Sequence, residues 1–137
     1  ESEREILANS VMPDPLAALA PVMSAAEVTA IQSAARGVTV DDDLVSYTLA
    51  IVEKTRRHEY LSVGVSPRGS VSLYRAAQAL ALVEGRDYCI PDDFKRLVLP
   101  VLAHRTVVSS RYASTLKQAE QAEAVLREIV ESTPVPV

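Results

Sequence analysis

Residues 66–85 constrain the fold of this chain more than any other stretch. Ser66 and Pro67 have the character of a helix start, with a serine at the cap and a proline in the first turn, and Gly85 follows the end of the run. Residues 73–83 are apolar or small almost all the way round a helix. The stretch therefore predicts a helix from Ser66 to about Glu84, enclosed by neighbours at the centre of a bundle.

Two helices are predicted before this central one. Ser24 and Glu27 form a capping box for a helix over about 25–35, and Gly37 stands where a left-handed residue would end it. The acidic run 41–43 offers a cap for the next helix, because acids stabilise the positive end of a helix. That helix keeps the 3.6-residue period through Leu44, Tyr47, Thr48, Ile51 and Thr55 and closes with Arg56, Arg57 and His58.

Two more helices are predicted after it. Pro91 opens one of them, and Pro100 should kink it or end it early because proline lacks a backbone donor. The last lies within 113–131 and stops before a proline-rich end. Three short β-branched or aromatic pieces add a possible minor β pairing: 38–40, 88–90 and 106–108. The predicted fold class is an all-α bundle of about five helices, with at most a minor short β pairing.

Composition narrows the functional classes. With 137 residues, 48% of them apolar, the chain can build one hydrophobic core. The net charge is −4, and the 14 basic residues are scattered among 18 acidic ones. The chain therefore provides no positive electrostatic field that would attract the phosphate backbone of a nucleic acid, so nucleic-acid binding is disfavoured. A small helical DNA-binding regulator is disfavoured for the same reason. The single cysteine, Cys89, and the lack of an apolar run of about 20 residues indicate a cytoplasmic protein without a membrane span.

Side chains that often bind metals have ordinary structural explanations here. His58 and His104 lack a cysteine or carboxylate cluster at ligand spacing, which favours helix-end or surface positions. Asp92 and Asp93 are interpreted as helix-start acids rather than a catalytic pair. The run 41–43 lacks the glycine and the distal glutamate of a calcium loop. No metal site is predicted.

A phosphate loop is also excluded. Gly64 and Gly69 have the spacing of the first and last glycines of such a loop, but Ser70 stands where the lysine must be, and no strand is predicted before it. The chain also lacks a Walker-B run of acids behind an apolar strand. It therefore cannot hold magnesium and a triphosphate unaided.

One charge is out of place in the predicted central helix. Helix amino ends carry about half a positive charge and favour acids, yet Arg68 stands there with no acid to balance it. An external phosphate would satisfy both the helix end and the guanidinium, and Arg75 follows seven residues later on roughly the same face. The alternative is that Arg68 reaches into water or pairs with a distant carboxylate such as Asp87; the residues alone leave both open.

Six motifs follow one another along the chain. They are Thr55-Arg56-Arg57, Gly64-Val65-Ser66-Pro67-Arg68-Gly69, Arg75-Ala76-Ala77-Gln78-Ala79-Leu80-Ala81, Glu84-Gly85-Arg86-Asp87-Tyr88, Pro91-Asp92-Asp93 and His104-Arg105. In this order and spacing they resemble the lid domain of MoxR-type AAA+ ATPases. The resemblance covers residues 22–108 well and 113–131 loosely. It implies that residues 1–21 are the end of a core-proximal helix with a proline-rich connector, that 22–131 are the lid and that 132–137 are a flexible tail.

The resemblance implies a role for Arg68. In that family the G-x-S-P-R segment carries the sensor-2 arginine, which reaches the γ-phosphate of ATP held by the core, and Arg68 matches its position. Ser66, Pro67 and Gly69 accompany it at the helix start, and residues Gly64 and Arg75 are candidate supports. Gly69 departs from the family's usual alanine, and a glycine there costs the first turn up to roughly 1 kcal/mol and loosens how Arg68 is aimed.

The resemblance also implies partners and activity. The chain would be the lid of a hexameric or otherwise ring-forming ATPase, with ATP and Mg bound mainly by a core outside this chain and no activity in the chain alone. It would couple hydrolysis to chaperone-like remodelling or assembly of partner proteins. Expected partners are its own core, neighbouring ATPase subunits and proteins with von Willebrand factor A domains. The alternative is a non-catalytic helical protein-interaction module that does not contact nucleotide.

Overall fold

The structure, a computed structural model, describes residues 2–9, 19–110 and 118–136. The described residues divide into two compact units, within 1–30 and 31–137. The elements in chain order are α1 (Ser2–Asn9), α2 (Ala25–Arg36), α3 (Asp42–Arg57), β1 (Leu61–Val63), α4 (Pro67–Val83), α5 (Pro91–Leu102), β2 (Val107–Val108) and α6 (Gln118–Glu131). A 3-10 turn, Ala103–Arg105, follows α5.

The first unit holds α1 and the start of α2. The Glu27 amide donates to Ser24 Oγ at 3.3 Å, and the Ser24 amide donates to the Glu27 carboxylate at 2.7 Å. These bonds confirm the predicted capping box. The Ser24 amide and hydroxyl also lower the pKa of Glu27 because they donate to its charged form. Most of the predicted connector falls in residues 10–18, which lie outside the described residues.

The core of the second unit confirms an all-helical bundle. α4 packs against both α3 and α5, and α6 packs against α3 and α5. The periodic positions predicted for α3 are all buried. No helix among the described residues is both long enough and apolar enough to cross a membrane. The largest fully buried apolar side chains are Phe94, Ile51, Leu73, Leu102, Leu126 and Ile129.

Helix α4 ends at a left-handed glycine. Gly85 has a φ of 77°, and it is the only residue with positive φ in the described part of the chain. The Arg86 amide donates to the Ala81 carbonyl and the Gly85 amide to the Leu82 carbonyl, both at 2.9 Å. This is the Schellman arrangement. The left-handed cap predicted at Gly37 is wrong, because Gly37 does not have a positive φ.

Two other helix predictions need correction. α4 is not enclosed on every side, since the side chains of Val71 and Val83 are 48% and 83% exposed. Pro100 does not end α5 early, because the helix continues to Leu102 before the 3-10 turn begins. Pro100 lies on the exposed side of the last turn, where water can replace the hydrogen bond that proline cannot make.

The minor β pairing is present in two places. Thr39 forms a parallel bridge with Tyr88, which joins two of the three predicted pieces. The third piece supplies β2, which pairs antiparallel with β1. Strand β1 was not predicted because three residues in a short connection give too little periodicity to recognise.

The start of the predicted tail packs against the bundle. Lys54 Nζ donates to the Ser132 carbonyl at 2.7 Å, and Thr133 Oγ1 donates to the Ile129 carbonyl at 2.6 Å. Thr133 is buried. These bonds hold the end of α6 against the carboxyl half of α3.

Candidate functional site

The connection before α4 is anchored to the end of α3. The Val65 amide donates to Thr55 Oγ1 at 3.0 Å, and Arg56 Nε donates to the Val65 carbonyl at 2.7 Å. Thr55 and Val65 are both fully buried. Because both backbone polar groups of one residue are bound to consecutive residues of α3, the residue that leads into α4 has little freedom to move.

Gly64 allows this close approach. A β-carbon at Gly64 would lie 2.6 Å from Arg56 Cα and 2.7 Å from the Thr55 carbonyl oxygen. These are backbone atoms of α3 and cannot move aside without distorting the helix. The resemblance suggested a supporting role for Gly64, and the observed contact is one in which only glycine fits.

Replacing Gly64 with alanine is expected to lower the free energy of unfolding by about 2–3 kcal/mol, because the added methyl group is forced against the α3 backbone. Urea denaturation of the 137-residue chain, followed by circular dichroism, measures this change. Ser66→Ala is the matched control; it should change stability by less than about 0.5 kcal/mol because the exposed Ser66 side chain makes no capping bond. Wild-type stability of the Gly64 variant would contradict the prediction.

The first turn of α4 leaves few backbone donors for a ligand. Ser66 occupies the cap position as predicted, but its side chain makes no capping hydrogen bond. Pro67 has no N–H, and the Gly69 amide donates to the Ser66 carbonyl at 2.8 Å. Only the Arg68 amide of this turn has no acceptor among the described residues. An anion at this helix end would therefore be held mainly by the Arg68 side chain.

Arg68 is exposed at the start of α4. No acid lies in the first turn, and no ion pair among the described residues includes Arg68. The pairing with Asp87, weighed as an alternative, is not formed. The guanidinium is thus available to an external anion.

Gly69 is buried behind Arg68. A β-carbon there would lie 2.5 Å from Val65 Cγ1 and 3.6 Å from Arg105 Cδ. Glycine lets the first turn of α4 pack directly on the anchored Val65. From the sequence alone, only a helix-propensity cost was expected for this glycine. The structure shows that Gly69 also allows a packing contact with Val65 that holds the turn in place.

Arg75 lies apart from Arg68. The seven residues between them correspond to about 10 Å along the helix axis. Arg75 lines a small cavity with Gln32, Ala35, Arg36 and Gln78. The fold thus brings Arg75 together with Arg36, from the end of α2, rather than with Arg68.

An ion-pair cluster joins the end of α4 to the start of α5. Arg86 donates to both carboxylate oxygens of Asp93, at 2.6 and 2.8 Å, and to Glu84 at 2.7 Å. Arg96 also pairs with Glu84. Arg86 is thus not a solvated arginine at a helix end, because its side chain is only 18% exposed and that of Asp93 is 1% exposed.

Asp93 is a structural acid rather than a catalytic one. It accepts a hydrogen bond from the Ile90 amide at 2.8 Å as well as those from Arg86. Burial on its own would raise the pKa of Asp93, but the hydrogen bonds from Arg86 and Ile90 outweigh it and lower that pKa. The same pairing raises the pKa of Arg86.

The other candidate residues also have structural positions. His58 caps the end of α3 and His104 lies in the exposed 3-10 turn. Cys89 is buried, and burial raises the pKa of its thiol to about 11. In residues 2–9, 19–110 and 118–136, no three His, Cys, Asp or Glu side chains are grouped to hold a metal ion.

Known proteins resemble this chain in sequence and fold. A family model described as the AAA lid domain matches residues 53–129. Bacillus subtilis YeaC is 38% identical over 98% of this chain and 41% of its own length. Chaperone MoxR1 of Mycobacterium tuberculosis is 32% identical over 99% of this chain and 37% of its own length. A solved structure from Cytophaga hutchinsonii superposes with a TM-score of 0.79 at 23% identity, covering 99% of this chain and 43% of that one.

The family match spans the elements that form the site. It begins within α3 before the Val65 anchor, includes Arg68 and the Arg86–Asp93 pair, and ends within α6. The chain spans less than half the length of the two curated relatives. By sequence, the chain belongs to the AAA lid domain family and is a lid of the MoxR type, and its fold agrees with that of the solved structure.

Proposed function

We propose that this lid closes over ATP held by a P-loop core outside the chain, and that Arg68 contacts the γ-phosphate. The observation that carries the proposal is an exposed guanidinium, without an ion-pair partner among the described residues, at the acid-free start of α4. The connection before it is hydrogen-bonded to α3. An arginine in this position can present a planar fork of donors to phosphate oxygens.

Arg68 would act by electrostatics and by position. Charge on the phosphate oxygens shifts during transfer, and a fixed cation stabilises the arrangement in which that charge is greatest. Loss of the γ-phosphate would remove the contact and release the lid as a rigid body. Magnesium would be held mainly by the core, as the family resemblance implies.

We propose a chaperone-like function for the complete protein. One relative is named Chaperone MoxR1, and the family resemblance suggests a hexameric ring in which the lid contacts its own core and neighbouring subunits. Coupling of ATP hydrolysis to remodelling or assembly of other proteins, including those with von Willebrand factor A domains, is part of the same proposal.

One observation favours the alternative of a protein-interaction module. A cavity of about 170 Å³ between α3 and α4 is lined by Val45, Leu49, Val71 and Tyr74 among others, and the Leu49 and Val71 side chains are exposed. Such an apolar surface suits a protein neighbour. This alternative requires no nucleotide.

Hydrogen exchange in the full-length protein separates the two functions. With a non-hydrolysable ATP analogue, amides in residues 64–72 should exchange more slowly than with ADP. Contact between Arg68 and the γ-phosphate holds the lid closed and so reduces local opening of the first turn of α4. Amides in α6 serve as the internal control and should exchange equally in both states. Equal exchange of residues 64–72 in the two states would instead support the module that does not contact nucleotide.

A further inference from the structure

Two arginines from different helices line one small cavity. Arg36, in the last turn of α2, and Arg75, in the middle of α4, border a space of about 150 Å³ together with Gln32, Ala35 and Gln78. Both arginines are exposed to solvent. The cavity therefore has two arginines in its wall and an opening through which a ligand could enter.

A buried glutamine holds the two helices in this arrangement. Gln78 is only 6% exposed, and its Nε2 donates to the Val38 carbonyl at 2.8 Å and to the Arg36 carbonyl at 3.3 Å. The second bond fastens the backbone of Arg36 to α4, one turn from Arg75. The backbone positions of the two arginines are thus fixed relative to each other before any ligand arrives, which removes part of the entropy cost of binding.

The charges of this pair are unbalanced. Neither Arg36 nor Arg75 takes part in an ion pair or donates a side-chain hydrogen bond among the described residues, whereas the exposed Arg57, Arg96 and Arg127 each pair with a glutamate. Arg36 is favoured by the negative end of α2. Arg75, in mid-helix, has no such compensation, so the cavity carries a positive charge without a partner among the described residues.

We propose that this cavity binds a phosphate group. A phosphate monoester or inorganic phosphate carries close to two negative charges and three or more acceptor oxygens, so it can neutralise both arginines and accept hydrogen bonds from each. A carboxylate carries one charge and two oxygens, which matches only one of them. This phosphate site is distinct from the proposed γ-phosphate contact, because Arg75 lies about 10 Å along α4 from Arg68.

Phosphate titration of the 137-residue chain tests the site without any nucleotide core. Backbone amide spectra are recorded while inorganic phosphate, or adenosine monophosphate in a second series, replaces chloride at constant ionic strength. Saturable shifts are expected at residues 35–38 and 75–78. The Arg36→Gln and Arg75→Gln variants should each bind phosphate at least about tenfold more weakly.

Two further variants give the controls. Arg127→Gln, which removes an exposed arginine from α6, should bind phosphate as the wild type does. Arg75→Lys keeps the charge but loses the planar fork, so its affinity should fall between those of wild type and Arg75→Gln. Unchanged amide positions elsewhere in each spectrum show that the variants are folded.

The possible outcomes divide clearly. Arginine-dependent binding of both ligands with equal affinity would support recognition of the phosphate group alone, and tighter binding of adenosine monophosphate would support a phosphate monoester as the ligand. No saturation by tens of millimolar phosphate, or binding that persists in the Arg36 and Arg75 variants, would overturn the site. None of these results bears on ATP hydrolysis, so this proposal can fail while the lid function stands.

Discussion

Replacing Arg68 with alanine in the full-length protein is expected to slow ATP hydrolysis by about 100-fold, which is the loss typical of one preorganised donor removed from a developing charge. The fold should be unaffected, because the side chain is exposed and makes no ion pair with a described residue. Steady-state phosphate release measures the rate, and thermal unfolding of the same samples measures stability.

The matched control for this change is Arg127→Ala. Arg127 is also an exposed helical arginine, so its replacement makes the same change in charge, and ATP hydrolysis should stay at the wild-type rate. Arg68→Lys should recover part of the loss, because a lysine keeps the charge but not the bidentate geometry. If Arg68→Ala leaves both the hydrolysis rate and the nucleotide affinity unchanged, the sensor-2 assignment is wrong.

Replacing Asp93 with alanine is expected to lower the free energy of unfolding by about 3 kcal/mol. The change removes the partner of a largely buried guanidinium and also the acceptor of the Ile90 amide at the start of α5. Urea denaturation of the chain measures the loss. Asp92→Ala is the neighbouring control and should have a much smaller effect, because Asp92 is exposed.

The same carboxylate makes stability depend on pH. The pKa of Asp93 is lower in the folded protein than in the unfolded chain, so its contribution is fully present above the unfolded value of about 4. It is lost as the pH falls through the folded pKa, because protons then bind the unfolded state preferentially.

An isosteric variant isolates this effect. In Asp93→Asn the group cannot titrate, so the fall in unfolding free energy below about pH 4 should be shallower than in the wild type. Identical pH dependence in the two proteins would show that Asp93 is not a source of the acid sensitivity.

The ion pair between Arg86 and Asp93 also affects how a movement at Arg68 would be transmitted to the neighbouring helices. At its amino end, α4 follows a segment held to α3 through Val65, and beyond its carboxyl end Arg86 binds Asp93 of α5. A helix held at both ends moves together with its neighbours. Under the proposed function, Asp93→Ala should therefore weaken the coupling of ATP hydrolysis to lid movement as well as the stability of the fold.

The local sequence determined where most helices begin and end. The Ser24–Glu27 capping box, the Asp41 cap and the Gly85 stop involve residues a few positions apart, so their hydrogen bonds form wherever the local helix forms. Gly37 shows the limit of this reasoning, because a glycine after a helix permits a left-handed conformation without requiring one.

The sequence by itself also determined that Arg68 begins a helix without an acid, since that depends on neighbouring residues alone. Only the tertiary structure decided that Arg86 is paired with Asp93, that Gly64 touches the α3 backbone, and that Arg75 shares a cavity with Arg36. These contacts depend on how separate helices are oriented in the core. Helix periodicity predicts which face is apolar, but it does not predict which residue of another helix will pack against that face.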